Sequence, residues 1–265
     1  MKYLVLNGSP HKGNTWRLVE CAINKIKQID TECEIKELHL MELKIPFCIG
    51  CSNCFRKGRE YCLHKNQIGI VLEAMEWADG IIVASTTFNM RETGLLKNLF
   101  DHLCYLLHRP HFFTKKALIL TSVGGVGSGG ALKSIKGTLH GIGFNKCYTY
   151  GCRTVSWNAF CPTTKHEMAI GKIATRFAND VKSQKIHYPK LSLLIPYNLF
   201  RGMGRYYAPG SEYATEDGIH WTKESRAHRT YDSQVPLHLY HKAFGSFFFL
   251  IGKVMGKKMI VTYKK

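Results

Sequence analysis

The sequence has no long run of apolar residues and no recognisable secretory signal. A helix that crosses a bilayer needs about 20 consecutive, mostly apolar residues, and the richest run, residues 243–252, is too short. The chain starts directly into a strand-like segment at residues 3–6, without the basic, apolar and cleavage regions of a signal peptide. We therefore expect no transmembrane span and a cytoplasmic location.

Acidic residues are scarce. The chain has 19 Asp and Glu against 37 Lys and Arg, so its formal net charge at pH 7 is +18. The basic residues are scattered and accompany no nucleic-acid motif, which argues against specific binding of DNA or RNA. A basic surface of this kind attracts acidic redox proteins, such as a ferredoxin, or anionic lipid. Hydrophobic residues make up 45% of the chain and charged residues 21%, which excludes a disordered or fibrous protein.

Short apolar runs alternate with amphipathic stretches up to about residue 184. The pattern predicts strands at residues 2–7, 33–38, 80–85, 116–122 and 146–150, and helices at residues 15–28, 67–77, 95–107, 131–141 and 166–182. Such alternation predicts βαβ units, and hence an α/β fold with a doubly wound parallel sheet. By analogy with flavodoxin-like proteins, we expect five strands in the order 2-1-3-4-5, with a ligand site beside strands 1 and 3.

The segment at residues 185–265 differs from the rest. Prolines and glycines interrupt it, and aromatic residues and histidines are frequent. We predict a flavodoxin-like domain at residues 1–184 and an irregular, aromatic extension at residues 185–265 that packs on that domain or on a partner subunit. Phe and Leu beside Lys at residues 237–259 are also compatible with an interfacial helix on anionic lipid, although packing on protein is the favoured interpretation. Three glycines there argue against one long helix.

The loop after the first strand carries a pattern for binding phosphate. Gly8 and Gly13 have the spacing of a P-loop, but Asn14 and Thr15 stand where that motif has Lys and then Ser or Thr. Without the lysine, a nucleoside triphosphate is a poor fit. The side-chain donors of Ser9, Asn14 and Thr15 at a helix N-terminus suit a terminal monophosphate. The alternative is an ordinary βα turn with Asn14 or Thr15 as the N-cap.

Two stretches resemble the NAD(P)H-dependent FMN reductase superfamily. Residues 8–15, Gly-Ser-Pro-His-Lys-Gly-Asn-Thr, resemble its FMN-phosphate loop, and residues 86–102 resemble the loop and helix that hold the flavin ring. Thr86, Phe88 and His102 replace the Pro, Tyr and Arg of the family pattern, and the lost proline leaves the loop less rigid. The resemblance implies an FMN-dependent oxidoreductase. Its phosphate-binding residues would be Ser9, His11, Asn14 and Thr15, and its ring-holding residues Thr86, Thr87, Phe88, Asn89 and Met90.

A glycine-rich stretch follows the fourth strand. Ser122, Val123, Gly124 and Gly125 open residues 122–130, and glycine lets the backbone approach a planar ring closely. A mobile surface loop is the alternative. Because the fold brings the loops after strands 1, 3 and 4 to one sheet edge, we predict that all three line a single FMN site.

Four of the ten cysteines form a compact motif in the loop at residues 46–63. Cys48, Cys51 and Cys54 have the spacing C-x2-C-x2-C, and Cys62 can supply a fourth thiolate. Four cysteines bind an iron–sulfur cluster or structural zinc, and the triplet is more typical of a [4Fe–4S] cluster. The motif and its place after the second strand resemble the iron–sulfur flavoproteins of anaerobes, over residues 2–180. Free thiols without a cluster are the alternative.

Three functions remain open on these residues. The first is an iron–sulfur flavoprotein that passes electrons between a [4Fe–4S] cluster and FMN; the resemblance implies a homodimer or homotetramer, in which the cluster of one subunit approaches the flavin of another. The second is an NAD(P)H-dependent FMN, quinone or nitro reductase without a cluster. The third is a flavin-binding electron carrier that docks through its extension. No catalytic side chain is predicted, because the flavin carries the chemistry; the candidate electron donors are NAD(P)H and ferredoxin.

Overall fold

The computed structural model describes residues 1–258. In that range the strands are β1 Lys2–Asn7, β2 Glu34–His39, β3 Gly80–Thr86, β4 Lys116–Val123 and β5 Lys146–Arg153. The helices are α1 Asn14–Ile29, α2 Leu40–Leu43, α3 Asn53–Arg56, α4 Lys65–Trp77, α5 Gly94–His102, α6 Tyr105–His108, α7 Ser128–Gly141, α8 Thr164–Lys182, α9 Leu191–Met203, α10 Glu216–Thr222, α11 Glu224–Ala227 and α12 Leu239–Lys258. Short 3-10 turns lie at Arg59–Tyr61 and Gly204–Tyr207.

The five strands form one parallel sheet in the order β2-β1-β3-β4-β5. This confirms the flavodoxin-like order expected from the sequence. Strand β4 is buried along its whole length, and β3 is buried except at its last residue. A strand covered by helices on both faces has a continuous apolar sequence, and this pattern is why the sequence predicts β3 and β4.

Alternate residues of each strand face opposite layers of helices. On one face, Leu4 and Leu6 of β1 belong to a core that also includes buried residues of α4, α5 and α7. On the other face, Tyr3 and Val5 belong to a core with α1 and α8. This period of two fixes the register of the sheet, because a shift by one residue would exchange the two faces.

The segment predicted as one helix at residues 95–107 is interrupted. Helix α5 ends at His102 and the short helix α6 starts at Tyr105. Between them the backbone N–H groups of Leu103 and Cys104 bond to carbonyls three residues earlier, as in a 3-10 helix. The interruption places Cys104 and the residues after it beside the cysteine loop.

The extension is more regular than the sequence predicted. Helices α9 and α12 pack against each other along most of their lengths, and the glycines of α12 are the reason they come so close. A Cβ atom on Gly252 would lie 2.4 Å from the Leu199 carbonyl oxygen, and one on Gly245 would lie 2.1 Å from Thr230. These glycines thus allow close packing that offsets their low helix propensity.

The extension contacts the first 184 residues through a small core and an ion-pair cluster. Phe113 packs with Leu194, Trp221 and other buried residues of the extension. Asp217 of α10 accepts a hydrogen bond from His108 at 2.7 Å and lies 3.1 Å from Nη1 of Arg109. The division of the chain at residue 184 stays a prediction. None of the helices in residues 1–258 is long and apolar enough to cross a membrane.

His220 makes the stability of the extension sensitive to acid. Burial, together with the charges of Arg226 and Arg109, lowers the pKa of His220 from its ordinary value of 6.5 to about 3. Between these two pH values the unfolded chain binds a proton that the folded chain does not, so stability falls as the pH decreases from 6.5 towards 3.

We expect His220→Gln to flatten this part of the pH profile of unfolding free energy, which denaturant titrations at several pH values would measure. A His220→Gln protein with the wild-type slope below pH 6.5 would show that this group does not titrate as inferred.

Candidate functional site

The loops at the carboxyl ends of β1, β3, β4 and β5 enclose a cavity of about 230 Å³. Its lining is mostly hydroxyl, amide and backbone groups, with two aromatic side chains at the edge. The lining residues are Ser9, His11, Gly13, Asn14, Thr15, Thr86, Thr87, Phe88, Ser122, Gly124, Thr154, Ser156 and Trp157. The structure therefore brings together nine of the thirteen residues predicted for a flavin site. Asn89, Met90, Val123 and Gly125 do not line this cavity.

Hydrogen bonds between the loops fix the shape of the cavity. The Thr86 backbone N–H donates to Oγ of Ser9 at 2.9 Å, and the Thr87 N–H donates to the Ser122 carbonyl at 2.8 Å. The hydroxyls of Thr15 and Ser122 are 2.6 Å apart. These contacts connect the first, third and fourth strands, as the sequence predicted for the sheet edge.

The end of α1 nearest the cavity is suited to an anion. Helix α1 has no acidic residue in its first turn, and its N-cap, Gly13, provides no side-chain hydrogen bond. The Trp16 N–H bonds to the Gly13 carbonyl, whereas the backbone N–H groups of Asn14 and Thr15 and the helix dipole are left to an external negative group. Nearby, Oγ1 of Thr87 is buried without a partner among the described residues. A hydroxyl left unpaired at the wall of a polar cavity fits a bound oxyanion or polar chain.

The loop after β5 contributes residues that the sequence analysis missed. Asn14 donates from Nδ2 to the Ser156 carbonyl at 2.8 Å, and its Oδ1 accepts from the Phe160 N–H. This bonding places Thr154 and Ser156 in the wall, while Trp157 is 93% exposed at its edge. Only the position of this loop in the fold could have predicted its role, because it follows the fifth strand at the same sheet edge. Its sequence carries no glycine-rich or family motif.

Asn89 and Met90 lie in a tight turn that packs against the glycine-rich stretch and does not line the cavity. Both have positive φ angles, 47° and 62°, within a tight turn closed by paired backbone bonds between Phe88 and Arg91. A Cβ atom on Gly130 would lie 2.3 Å from the Met90 carbonyl oxygen. Gly130 of the glycine-rich stretch therefore allows the backbone to approach the turn at Met90, and not a planar ring. Gly125, by contrast, has open space around it.

The four motif cysteines lie in one surface loop. Cys48 and Cys51 are exposed, whereas Cys54 and Cys62 are half-buried. Burial raises the pKa of Cys62, and the three other thiols are close enough to raise it further. Within residues 1–258, no three His, Cys, Asp or Glu side chains are placed to hold a single metal ion. The described side chains thus do not form the zinc site that the sequence left open. A [4Fe–4S] cluster binds its four thiolates at separate irons, so its cysteines do not have to converge on one ion.

Cys104 adds a fifth sulfur beside the motif. The sequence gives it no role as a ligand, but the structure places its thiol next to that of Cys54. The interaction between the two neighbouring thiols raises the pKa of Cys54 and lowers that of Cys104. Arg109 donates to the Cys54 carbonyl at 2.5 Å and so holds the same turn of the loop.

Asn98 connects the cysteine loop to the helix that follows the Thr86–Met90 turn. It is buried on α5, and its Nδ2 donates to the carbonyls of Ile45 and Pro46, each at 3.1 Å. Its Oδ1 accepts from the Cys48 N–H at 3.1 Å. One amide therefore fixes the start of the cysteine loop on α5, and the N-cap of α5, Thr93, donates a hydrogen bond to the Gly8 carbonyl in the loop after β1.

We expect Asn98→Asp to destabilise the protein by about 1–3 kcal/mol, because it removes the donor to two carbonyls and buries a charge. The free energy of unfolding from urea titration measures this effect. Asn24→Asp, an identical change at an exposed position of α1, is the control and should cost far less. Equal losses in the two variants would contradict the role assigned to Asn98.

Comparisons with known proteins agree with this geometry. A family model described as NADPH-dependent FMN reductase matches residues 1–157. An iron-sulfur flavoprotein of Archaeoglobus fulgidus is 40% identical over 101 residues, which are 38% of this chain and 48% of that protein. An iron-sulfur flavoprotein of Clostridioides difficile is 27% identical over 183 residues, 68% of this chain and 80% of that protein.

Among solved structures, the apo form of an NADH:FMN oxidoreductase aligns with a TM-score of 0.52 and 19% identity, covering 72% of this chain and 98% of that one. At this identity the likeness shows the fold alone. The match to the Archaeoglobus protein spans about half of that protein's length.

Proposed function

The chain belongs to the NADPH-dependent FMN reductase family, and from that premise we propose that it is an FMN-dependent oxidoreductase in which electrons pass between FMN and a [4Fe–4S] cluster. The observation that carries the flavin part is the uncapped, acid-free N-terminus of α1, which opens into a cavity lined by hydroxyl and amide donors. This is the chemistry that recognises a phosphate monoester.

The residues that would hold FMN divide into two groups. Ser9, Asn14 and Thr15 lie where the phosphate would meet the end of α1, with His11 at the rim. Phe88 is more than half exposed at the same cavity, and Trp157 is almost fully exposed. A flat aromatic ring system laid over them would cover apolar surface that is otherwise in water. When bound, FMN supplies hydride and single-electron chemistry; the chain binds its phosphate, orients its ring and keeps water from one side.

The cluster part of the proposal rests on the cysteine loop. The thiols of Cys48, Cys51 and Cys54 are close enough to raise the pKa of Cys62, and Asn98 of α5 accepts from the N–H group of the first of these cysteines. Relatives that are named iron-sulfur flavoproteins support the same assignment. Cys48, Cys51, Cys54 and Cys62 are the proposed ligands, with Cys104 as the neighbouring thiol.

The surface of the cysteine loop favours contacts with other proteins. Phe47 and Ile49 are both largely exposed beside Cys48 and Cys51. We propose that this surface is covered in a homodimer or homotetramer, and that the basic residues after it attract an acidic electron donor such as a ferredoxin. NAD(P)H is the other candidate donor. The cytoplasmic location expected from the sequence stays a prediction.

A comparison of FMN with riboflavin tests the flavin part. The two molecules differ by the phosphate, so a site built on the end of α1 should bind FMN at least about 100-fold more tightly, or about 2.7 kcal/mol. Titration of the flavin-free protein, followed by quenching of flavin fluorescence, measures both dissociation constants. Equal affinities would contradict a phosphate site at α1.

An NAD(P)H-dependent FMN, quinone or nitro reductase without a cluster is the second candidate. A relative that is named NAD(P)H-dependent FAD/FMN reductase, 31% identical over 101 residues, supports it. This function predicts fast NAD(P)H oxidation, in air, by protein that contains FMN but no iron.

A further inference from the structure

The outer face of α12 is apolar and exposed. Tyr240, Phe247, Leu250 and Val254 are each more than half exposed. Their spacings of seven, three and four residues place them on one side of a helix with 3.6 residues per turn. The helix is 20 residues long, so this stripe extends over several turns.

The opposite face of α12 is the one that packs on protein. Gly245, Gly252 and Gly256 are buried, and Cβ atoms on the last two would collide with α9 or the turn that follows it. Their spacing of seven and four residues puts them on a common side, about half a turn from the exposed stripe. Packing against α9 therefore accounts for one side of α12 and leaves the apolar side without a partner among the described residues.

The charges that α12 carries are all positive. Helices α9 and α12 contain no Asp or Glu, while α12 has four lysines, at positions 242, 253, 257 and 258. No acidic residue follows Asp232 in the sequence. A second copy that covered the stripe with its own would bring two lysine-bearing helices together without any compensating acid on either. An anionic bilayer compensates this charge and also accepts the apolar side chains.

We propose that the exposed face of α12 docks on the surface of a membrane that contains anionic lipid. Tyr240, Phe247, Leu250 and Val254 enter the interface, and the lysines at the helix end contact lipid phosphates. The helix lies on the bilayer and does not cross it, in keeping with its glycine-lined inner face. This proposal does not depend on the flavin or the cluster, because none of its residues lines the cavity or the cysteine loop.

Co-sedimentation of the full chain with vesicles tests the proposal. Vesicles of phosphatidylcholine with phosphatidylglycerol should bind the protein at least about tenfold more strongly than vesicles of phosphatidylcholine alone, and salt should weaken that binding. The double variant Phe247→Ser, Leu250→Ser should lose at least about tenfold of the binding. Met168→Ser removes an equally exposed apolar side chain on α8 and should leave the binding unchanged.

Circular dichroism and FMN binding show whether the double variant is folded. Failure of the wild-type chain to bind either vesicle would overturn the proposal, and so would equal binding by the double variant. Light scattering tests whether a second copy of the chain covers the stripe instead. In that case the wild type is an oligomer that does not bind vesicles, and the double variant is a monomer. If vesicle binding is lost only in the double variant, the assignment stands.

Discussion

Replacing Ser9 by Asp should weaken FMN binding by at least about 100-fold, or about 2.7 kcal/mol. Ser9 is buried at the cavity wall, next to the end of α1. A carboxylate at this position would face the phosphate across a few ångströms, and two unit charges about 4 Å apart repel by about 4 kcal/mol at an effective dielectric constant near 20. The dissociation constant from a fluorescence titration measures the effect.

Ser9→Asn is the matched control for this prediction. Asn has the shape of Asp without the charge, and either side chain retains an oxygen that can accept from the Thr86 N–H, as Oγ of Ser9 does now. The ratio of the two dissociation constants therefore measures the effect of the charge on FMN binding, separately from the effect of the larger side chain. If both variants bind FMN equally well, the phosphate does not lie at Ser9, and the cavity holds another part of the ligand.

Replacing Cys51 by Ser should remove nearly all iron and acid-labile sulfide from anaerobically prepared protein. Cys51 is the central cysteine of the triplet and is exposed, so its loss leaves the packing of the domain intact while removing a ligand. Cys161→Ser, at another exposed cysteine outside the motif, should retain the wild-type content. Iron and sulfide assays on both variants decide. Full iron and sulfide in Cys51→Ser would contradict the ligand assignment.

The fourth ligand can be identified in the same way. Cys62 completes the sequence motif, whereas Cys104 is the thiol that the fold places against Cys54. If Cys62 is the ligand, Cys62→Ser loses iron and sulfide and Cys104→Ser keeps them. The reverse result would assign the position to Cys104, which the chain sequence alone gives no reason to choose.

The sheet was predictable because its signal is local. Apolar runs of strand length between amphipathic helices determine a parallel sheet, and the observed order β2-β1-β3-β4-β5 agrees with the expectation. Ser9, Asn14, Thr15, Thr86 and Ser122 were predictable at the cavity for the same reason: the carboxyl ends of parallel strands meet at one edge. Position along the chain was enough to bring them together.

The remaining features depend on contacts between distant segments. Ser156 reaches the cavity through a bond to Asn14, 142 positions away, and Asn98 reaches the cysteine loop across 50. Neither Ser156 nor Asn98 belongs to a sequence motif that would predict its contact. Intrinsic propensity predicts that the glycines of α12 interrupt a helix, but the close approach of α9 reverses their effect.

The composition of anaerobically purified protein shows whether the chain holds a cluster beside FMN. FMN, iron and acid-labile sulfide are quantified per chain, together with the visible spectrum. The account predicts one FMN with about four irons and four sulfides, as a [4Fe–4S] cluster requires. Protein that binds FMN but takes up neither iron nor sulfide when both are supplied would contradict electron transfer through a cluster. The cysteines would then be thiols of a simple FMN reductase.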